Sequence, residues 1–115
     1  MLAQAHRLRR SADFSGAIRH GRRCGTRWAV VYVAPAPAGS PGTASWRAGL
    51  VVSKVVGNSV VRHRVSRRLR AVLADTMPTL GEPKQVVVRA LPAAASAAWE
   101  DLARAVGKCL REACR

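Results

Sequence analysis

The chain has 115 residues, with 20 Lys and Arg against 6 Asp and Glu, and a formal net charge of +14 at pH 7. Its length suits one domain with a modest core, and its hydrophobic content of 49% excludes a wholly disordered basic tail. No apolar run approaches the ~18 residues of a membrane span, and the first residues show no apolar signal segment. We therefore expect one cytoplasmic domain over residues 1–115 that binds an anionic partner and no membrane.

The amino-terminal residues predict a short helix behind a basic lead-in. Residues 1–10 carry three arginines and no acid, and we expect them to be mobile. Ser11 suits an N-cap, and Phe14 and Ile18 follow at the spacing of one helical face. The pattern therefore predicts a helix over about 11–20.

Two strands and a long loop are predicted next. Residues 27–33 are mostly β-branched or aromatic, which is typical of a strand, and a second strand is predicted at 46–53. Residues 35–45 are rich in Pro, Gly, Ser and Ala, which predicts a flexible hairpin loop and antiparallel pairing of these two strands. A bend within residues 51–56 would separate a third short strand.

A basic helix is predicted from about Asn58 to Asp75, after a break at Gly57. At about 100° per residue, its apolar side chains fall on one arc: Val61, Val65, Leu69, Val72 and Leu73. Arg62 lies at the margin of that arc, and the opposite arc carries His63, Arg64, Arg67, Arg68 and Arg70. A solvated helix face normally mixes charges, whereas no acid precedes Asp75 here. The cationic arc therefore predicts binding to the phosphates of RNA or DNA.

The remaining chain predicts a buried strand at 85–89 and a last helix. Ser96 is expected to cap that helix, with Glu100 and Asp101 in its first turn. Its apolar stripe comprises Trp99, Leu102, Val106, Cys109 and Leu110. The element order α-β-β-(β)-α-β-α predicts an α+β sandwich, in which helices pack on a small sheet.

The residues that could carry chemistry are few. Cys24, Cys109 and Cys114 are odd in number and form no CxxC pair, which favours reduced thiols over disulfides. They make no recognisable metal-ligand spacing with the histidines. The acidic residues are scattered, no Ser/His/Asp or Cys/His set is complete, and no glycine-rich nucleotide motif is present. We therefore expect no catalytic residue, no metal site and no small-molecule substrate in the polypeptide.

The segment from Ser53 to Arg70 resembles the signature of the protein component of bacterial ribonuclease P, Ser-Lys-Lys-x-Gly-Asn-Ala-Val-x-Arg-Asn-Arg-x-Lys-Arg-x-x-Arg. This chain reads Ser-Lys-Val-Val-Gly-Asn-Ser-Val-Val-Arg-His-Arg-Val-Ser-Arg-Arg-Leu-Arg there. The main departures are Val55, His63 and Ser66, where the signature has Lys, Asn and Lys. Around the segment, Arg7-Leu8, Asp13-Phe14, His20-Gly21 and 47–50 also match, so the resemblance covers roughly 7–110.

The resemblance implies that a large catalytic RNA performs the chemistry with Mg²⁺ bound mainly by that RNA, and matures the 5′ end of precursor tRNA. It implies that the following residues bind the catalytic RNA: Lys54, Asn58, Arg62, His63, Arg64, Arg67, Arg68 and Arg70. It implies that Phe14, Ile18 and Tyr32 line a cleft for the 5′ leader, between the amino-terminal helix and the sheet. It also implies a left-handed β-α-β crossover, whereas the general rule predicts a right-handed one.

The residues alone leave alternatives open. Strand alternation does not decide whether Tyr32 faces a core or an open surface on which a base could stack. A small ribosomal-type structural RNA-binding protein would explain the charge and size, but not the ordered motif. A DNA-binding helix module lacks a helix-turn-helix spacing here, and a stand-alone nuclease is disfavoured by the scattered carboxylates.

Overall fold

A computed structural model describes residues 21–35, 46–79 and 84–114, together with residues 16, 18 and 19. In chain order the strands and helices are β1 (Arg22–Gly25), β2 (Ala29–Pro35), β3 (Trp46–Val51), α1 (Ser59–Thr76), β4 (Lys84–Ala90) and α2 (Trp99–Ala113). Short 3₁₀ helices follow α1 at Met77–Thr79 and β4 at Pro92–Ser96. None of these helices is both long and apolar enough to cross a membrane, within the part of the chain that the structure describes.

Part of the predicted amino-terminal organisation lies outside the described residues. This holds for the lead-in over 1–10, for Phe14 and for residues 36–45 of the predicted loop. Within the predicted helix, Gly16, Ile18 and Arg19 are helical.

The four strands form one sheet in the order β1-β2-β4-β3. β4 pairs antiparallel with β2 and parallel with β3, so the predicted hairpin between β2 and β3 is wrong. Val86, Val87 and Val88 of β4 are fully buried, which explains the central position of this strand, because a central strand is covered on both faces. The connection from β2 to β3 must therefore span β4, a distance of about 10 Å.

The short third strand predicted from a bend within residues 51–56 also lies elsewhere. It is β1, whose connection to β2 is a turn stabilised by Thr26: the hydroxyl of Thr26 accepts from the backbone N–H of Trp28 and of Ala29, at 3.1 and 2.9 Å. Residues 52–56 form no strand, because the chain turns there: the N–H of Val56 donates to the carbonyl of Ser53 at 3.1 Å. After that turn α1 carries the chain to β4 and completes a β-α-β unit, whose left-handed sense stays a prediction.

Side chains from the two faces of the sheet pack into two separate cores. The larger core lies between the sheet and the two helices. Its largest fully buried side chains are Val31, Val65, Leu69, Leu73, Val86, Val88, Leu102, Val106 and Leu110. The smaller core lies on the opposite face, hereafter the second face, and contains Val30, Tyr32, Ala34 and Val87. Tyr32 therefore points away from α1 and α2.

The start of α2 differs from the prediction in two respects. Ala98 occupies the N-cap position, and the hydroxyl of Ser96 instead donates to the carbonyl of Ala93 at 3.4 Å. Pro92 begins a 3₁₀ helix, and α2 consequently starts two residues later than predicted. Trp99 stands at the end of the predicted apolar stripe and is 37% exposed, whereas the rest of that stripe is buried.

The prediction of three reduced thiols is also wrong. Cys24 of β1 and Cys109 of α2 form a disulfide, with their Cα atoms 5.5 Å apart, while Cys114 keeps its thiol. The two bonded cysteines are 85 residues apart in sequence, so no local spacing signals the pair. Closing a loop of this length is expected to stabilise the fold by about 4–5 kcal/mol, through the lost entropy of the unfolded chain.

Candidate nucleic-acid interface

The candidate interface is built on α1, and the Gly57-Asn58 pair of the motif determines where this helix begins. Asn58 is the N-cap: its side-chain oxygen accepts from the N–H of Val61 at 2.9 Å, and its carbonyl accepts from the N–H of Arg62 at 2.9 Å. Gly57 has a φ of +157°, and a Cβ there would lie 2.9 Å from the Cβ of Val61. The pair therefore has a structural role that requires no contact with RNA.

Replacing Gly57 with alanine should destabilise the fold by about 2–4 kcal/mol, because the substitution adds backbone strain to a clash with Val61. Chemical denaturation followed by circular dichroism measures this loss. Gly25→Ala is the matched control, since a Cβ at Gly25 meets no atom within 4 Å, and it should change stability by less than about 0.5 kcal/mol. Equal stability of the two variants would contradict the structural role of Gly57.

The apolar side of α1 anchors the helix in the larger core. Val65, Leu69, Val72 and Leu73 are buried as predicted, while Val61 at the first turn is half-buried. The basic side chains consequently point outward or along the margin of the helix. Within the described part of the chain none of them forms an ion pair with a carboxylate. The positive charge of this face is thus not neutralised by the described residues.

Two of the predicted RNA-binding arginines also hold the turn before α2. Arg64 donates from Nη2 to the carbonyl of Ala95 at 3.1 Å, and Arg68 donates from Nη1 to the carbonyl of Ala97 at 3.3 Å. These carbonyls lie in and just after the Pro92–Ser96 helix. The two side chains therefore join α1 to the segment that leads into α2, which sequence spacing did not show.

Arg64→Ala should destabilise the fold by about 1–2 kcal/mol, because it leaves the Ala95 carbonyl without its charged donor. Thermal melting of the protein without RNA measures the effect. Arg67→Ala removes the same charge from an exposed position of the same helix, and it should change stability by less than about 0.5 kcal/mol. If both variants melt at the wild-type temperature, the bond to Ala95 contributes nothing to stability.

The remaining cationic groups of α1 lie where a partner could reach them. Ser59, Val60, His63, Arg64 and Arg67 line an open recess of about 420 Å³ on the surface of α1. Lys54 is exposed in the turn before the helix, and Arg62 and Arg70 are half-buried. The Nε atoms of Arg62 and Arg64 are buried without an acceptor among the described residues, so only the outer nitrogens of these guanidinium groups are available to a ligand.

A second group of basic residues lies on the second face of the sheet. Strand register places Arg23 directly beside Tyr32, and Arg89 directly beside Val30. Both arginines are exposed, whereas Tyr32 is only 7% exposed. Sequence reasoning missed Arg23 and Arg89, since their place beside Tyr32 depends on a pairing of β1, β2 and β4 that it did not predict. Two cations thus flank the apolar residues of this face.

A cationic helix that no described carboxylate neutralises, on a small α+β scaffold, is typical of proteins that bind nucleic acid. The family model described as Ribonuclease P matches residues 2–114. The ribonuclease P protein component of Acidothermus cellulolyticus is 46% identical over 103 residues, covering 90% of this chain and 83% of the relative. That of Corynebacterium urealyticum is 48% identical over 122 residues, covering 96% of each. The chain belongs to the ribonuclease P protein family, so the predicted resemblance is confirmed.

Solved structures show the same fold. The RNase P protein of Staphylococcus aureus superposes with a TM-score of 0.80 at 24% identity, over 96% of each chain. The RNase P protein of Thermotoga maritima superposes with a TM-score of 0.75 at 18% identity, over 92% of this chain and 96% of that one. The predicted α+β class is thus confirmed, and as a member of its family the chain is a protein component of a tRNA-processing enzyme.

Proposed function

We propose that this chain is a cytoplasmic subunit that binds a catalytic ribonuclease P RNA through α1 and the 5′ leader of precursor tRNA through the second face of the sheet. The observation that carries the proposal is the cationic face of α1, which no described carboxylate neutralises. A polyphosphate backbone supplies the missing negative charge, and the release of its counterions drives the association.

The geometry divides the motif residues into two groups. The first group contacts phosphates of the catalytic RNA, since no described hydrogen bond holds its side chains. It comprises Arg67, His63, Lys54, Arg62 and Arg70. Arg64, Arg68 and Asn58 act mainly by holding α1 in position, and any RNA contact they make is in addition to the bonds described above. In this division the motif both binds the RNA and orients the helix that binds it.

The leader site is proposed at the second face. Ile18 is 41% exposed, and Arg23 and Arg89 flank Tyr32 and Val30 on this face. Bases of a single strand would rest against the side chains of Phe14 and Ile18 and against the small exposed part of Tyr32, while the two arginines bind the phosphates. Single-stranded nucleic acid suits such a surface, because aromatic contacts and phosphate contacts both tolerate any sequence.

The chemistry is assigned to the RNA. Among the described residues no three His, Cys, Asp or Glu side chains come together in a group that could hold a metal ion. We therefore assign no step of the reaction to a metal held by the described residues. In the proposal Mg²⁺ is bound mainly by the RNA, and the polypeptide positions the two RNA molecules.

Reconstitution tests this function. The protein is added to its cognate ribonuclease P RNA and to precursor tRNA at low Mg²⁺, and is also assayed without the RNA. We expect strong stimulation of 5′ cleavage with the RNA and no cleavage by the protein alone. Absence of stimulation would favour a ribosomal-type structural RNA-binding protein, and cleavage by the protein alone would identify a nuclease.

A further inference from the structure

The Cys24–Cys109 disulfide connects the candidate leader site to the opposite side of the molecule. Cys24 lies in β1, a strand of four residues at the edge of the described sheet, where it pairs with β2. Cys109 lies in α2 and is 4% exposed, whereas Cys24 is half-buried. Arg23 precedes Cys24 and therefore points to the second face, beside Tyr32. One covalent bond thus ties the strand that carries Arg23 to the larger core.

The bond matters for β1 because β1 is a short edge strand of the described sheet. Its four residues pair with Val30 to Val33 of β2, and three of the four are exposed. Short edge strands with exposed side chains open locally at low free-energy cost. With the disulfide intact, opening of β1 is restrained by α2. Without it, β1 loses this restraint but keeps its other contacts, which include the pairing with β2 and the packing of the Cys24 side chain.

We propose that this disulfide is a redox switch, which holds β1 and Arg23 in place when oxidised and releases them when reduced. Disulfides in reducing compartments are usually transient or redox-sensing, and a subunit that works with RNA in the cytoplasm meets dithiol reductants there. The effect on leader binding rests on the function proposed above. The effect on β1 does not.

The chemistry of the switch is thiol–disulfide exchange with a dithiol reductant. A thiolate of the reductant attacks Sγ of Cys24, because Cys24 is the more exposed of the two cysteines. The bond between the two protein sulfurs breaks, and Cys109 leaves as a thiolate that takes up a proton. The second thiol of the reductant then attacks the mixed disulfide and releases Cys24 as a thiol. The reductant ends as a disulfide and has delivered two electrons and two protons to the protein.

Counting thiols is the first test. Protein purified without reductant is denatured and alkylated with iodoacetamide, and its mass is then measured by mass spectrometry. We expect one alkylated cysteine, Cys114, and three after treatment with dithiothreitol. Three alkylated cysteines in the untreated protein, even after mild oxidation with hydrogen peroxide, would overturn the proposal.

The consequences for β1 are measured by melting and by hydrogen exchange. Dithiothreitol should lower Tm by about 10–20 °C and should speed exchange of the β1 amides more than that of the β4 amides. Cys114→Ala is the matched control and should keep both responses. Cys24→Ser should have a Tm close to that of the reduced wild type, and its Tm should not change with dithiothreitol. The Tm of Cys109→Ala should not change with dithiothreitol either. Melting of the wild type that is independent of dithiothreitol would overturn the switch.

The reconstituted enzyme separates failure of the switch from failure of the proposed function. The Kd values are measured at a temperature below the Tm of both the oxidised and the reduced protein. The Kd for precursor tRNA with a leader should rise several-fold on reduction, while the Kd for mature tRNA should not change. Equal Kd values for leader-bearing tRNA in both redox states would overturn the link to the leader. If neither redox state stimulates cleavage, the proposed function fails, and the switch is then decided by the melting and exchange results.

Discussion

Replacing Tyr32 with alanine should destabilise the protein by about 3–5 kcal/mol, because it removes a buried ring from the smaller core. Tyr32 is 7% exposed and packs with Val30, Ala34 and Val87. Alanine would leave a cavity beneath the centre of the second face. Chemical denaturation of the protein without RNA measures this loss. A change of less than about 1 kcal/mol would mean that the face reorganises around the missing ring.

A contact with the leader should be tested at Ile18 rather than at Tyr32, because Ile18 is the exposed one of the two residues. Since Ile18 is 41% exposed, Ile18→Ser should cost less than about 0.5 kcal/mol of stability. It should nevertheless weaken binding of precursor tRNA with a leader several-fold and leave binding of mature tRNA unchanged. Tyr32→Phe is the companion variant, since it keeps the ring and removes only the hydroxyl. Equal losses for both tRNA ligands would place Ile18 outside the leader site.

The basic helix could be predicted almost completely from the sequence. Its apolar residues recur at helical spacing, and this spacing alone predicts Val65, Leu69, Val72 and Leu73 as the buried side. The start was equally clear, because Asn58 is a strong N-cap residue and Gly57 breaks the strand before it. Local signals suffice here, since a helix forms its backbone bonds within one segment.

The order of the strands could not be predicted, because it depends on contacts between distant segments. Residues 35–45 suit a hairpin loop by composition. The hairpin is excluded because β4 lies between β2 and β3 in the sheet. The same limitation hid the disulfide and the position of Arg23, since both require β1 to pair with β2 and to face α2. The sequence therefore predicts the cationic helix α1, whereas the second surface becomes visible only with the pairing register.

Replacing Arg62, Arg67 and Arg70 together with alanine should weaken binding of the catalytic RNA by roughly a hundredfold or more, since each contact to phosphate is a charge-assisted hydrogen bond. The salt dependence should change as well. The slope of log K against log salt should become shallower by about 2–3 units, because three fewer counterions are released. Titrations of the RNA at several salt concentrations measure both quantities. Thermal stability should change little, since no described bond holds these side chains.

A matched variant on α2 distinguishes RNA binding by particular arginines of α1 from attraction to the net charge of the protein. Arg104, Lys108 and Arg111 are exposed there, and replacing all three with alanine removes the same charge from the chain. The ion pair between Arg104 and Asp101, at 3.6 Å, is exposed and contributes little to stability. This control should keep most of the affinity and most of the salt slope. If both triple variants lose the same affinity, the RNA responds to the net charge of +14 and not to the arrangement of α1. A larger loss for the α1 variant would mean that the helix positions its arginines on particular phosphates.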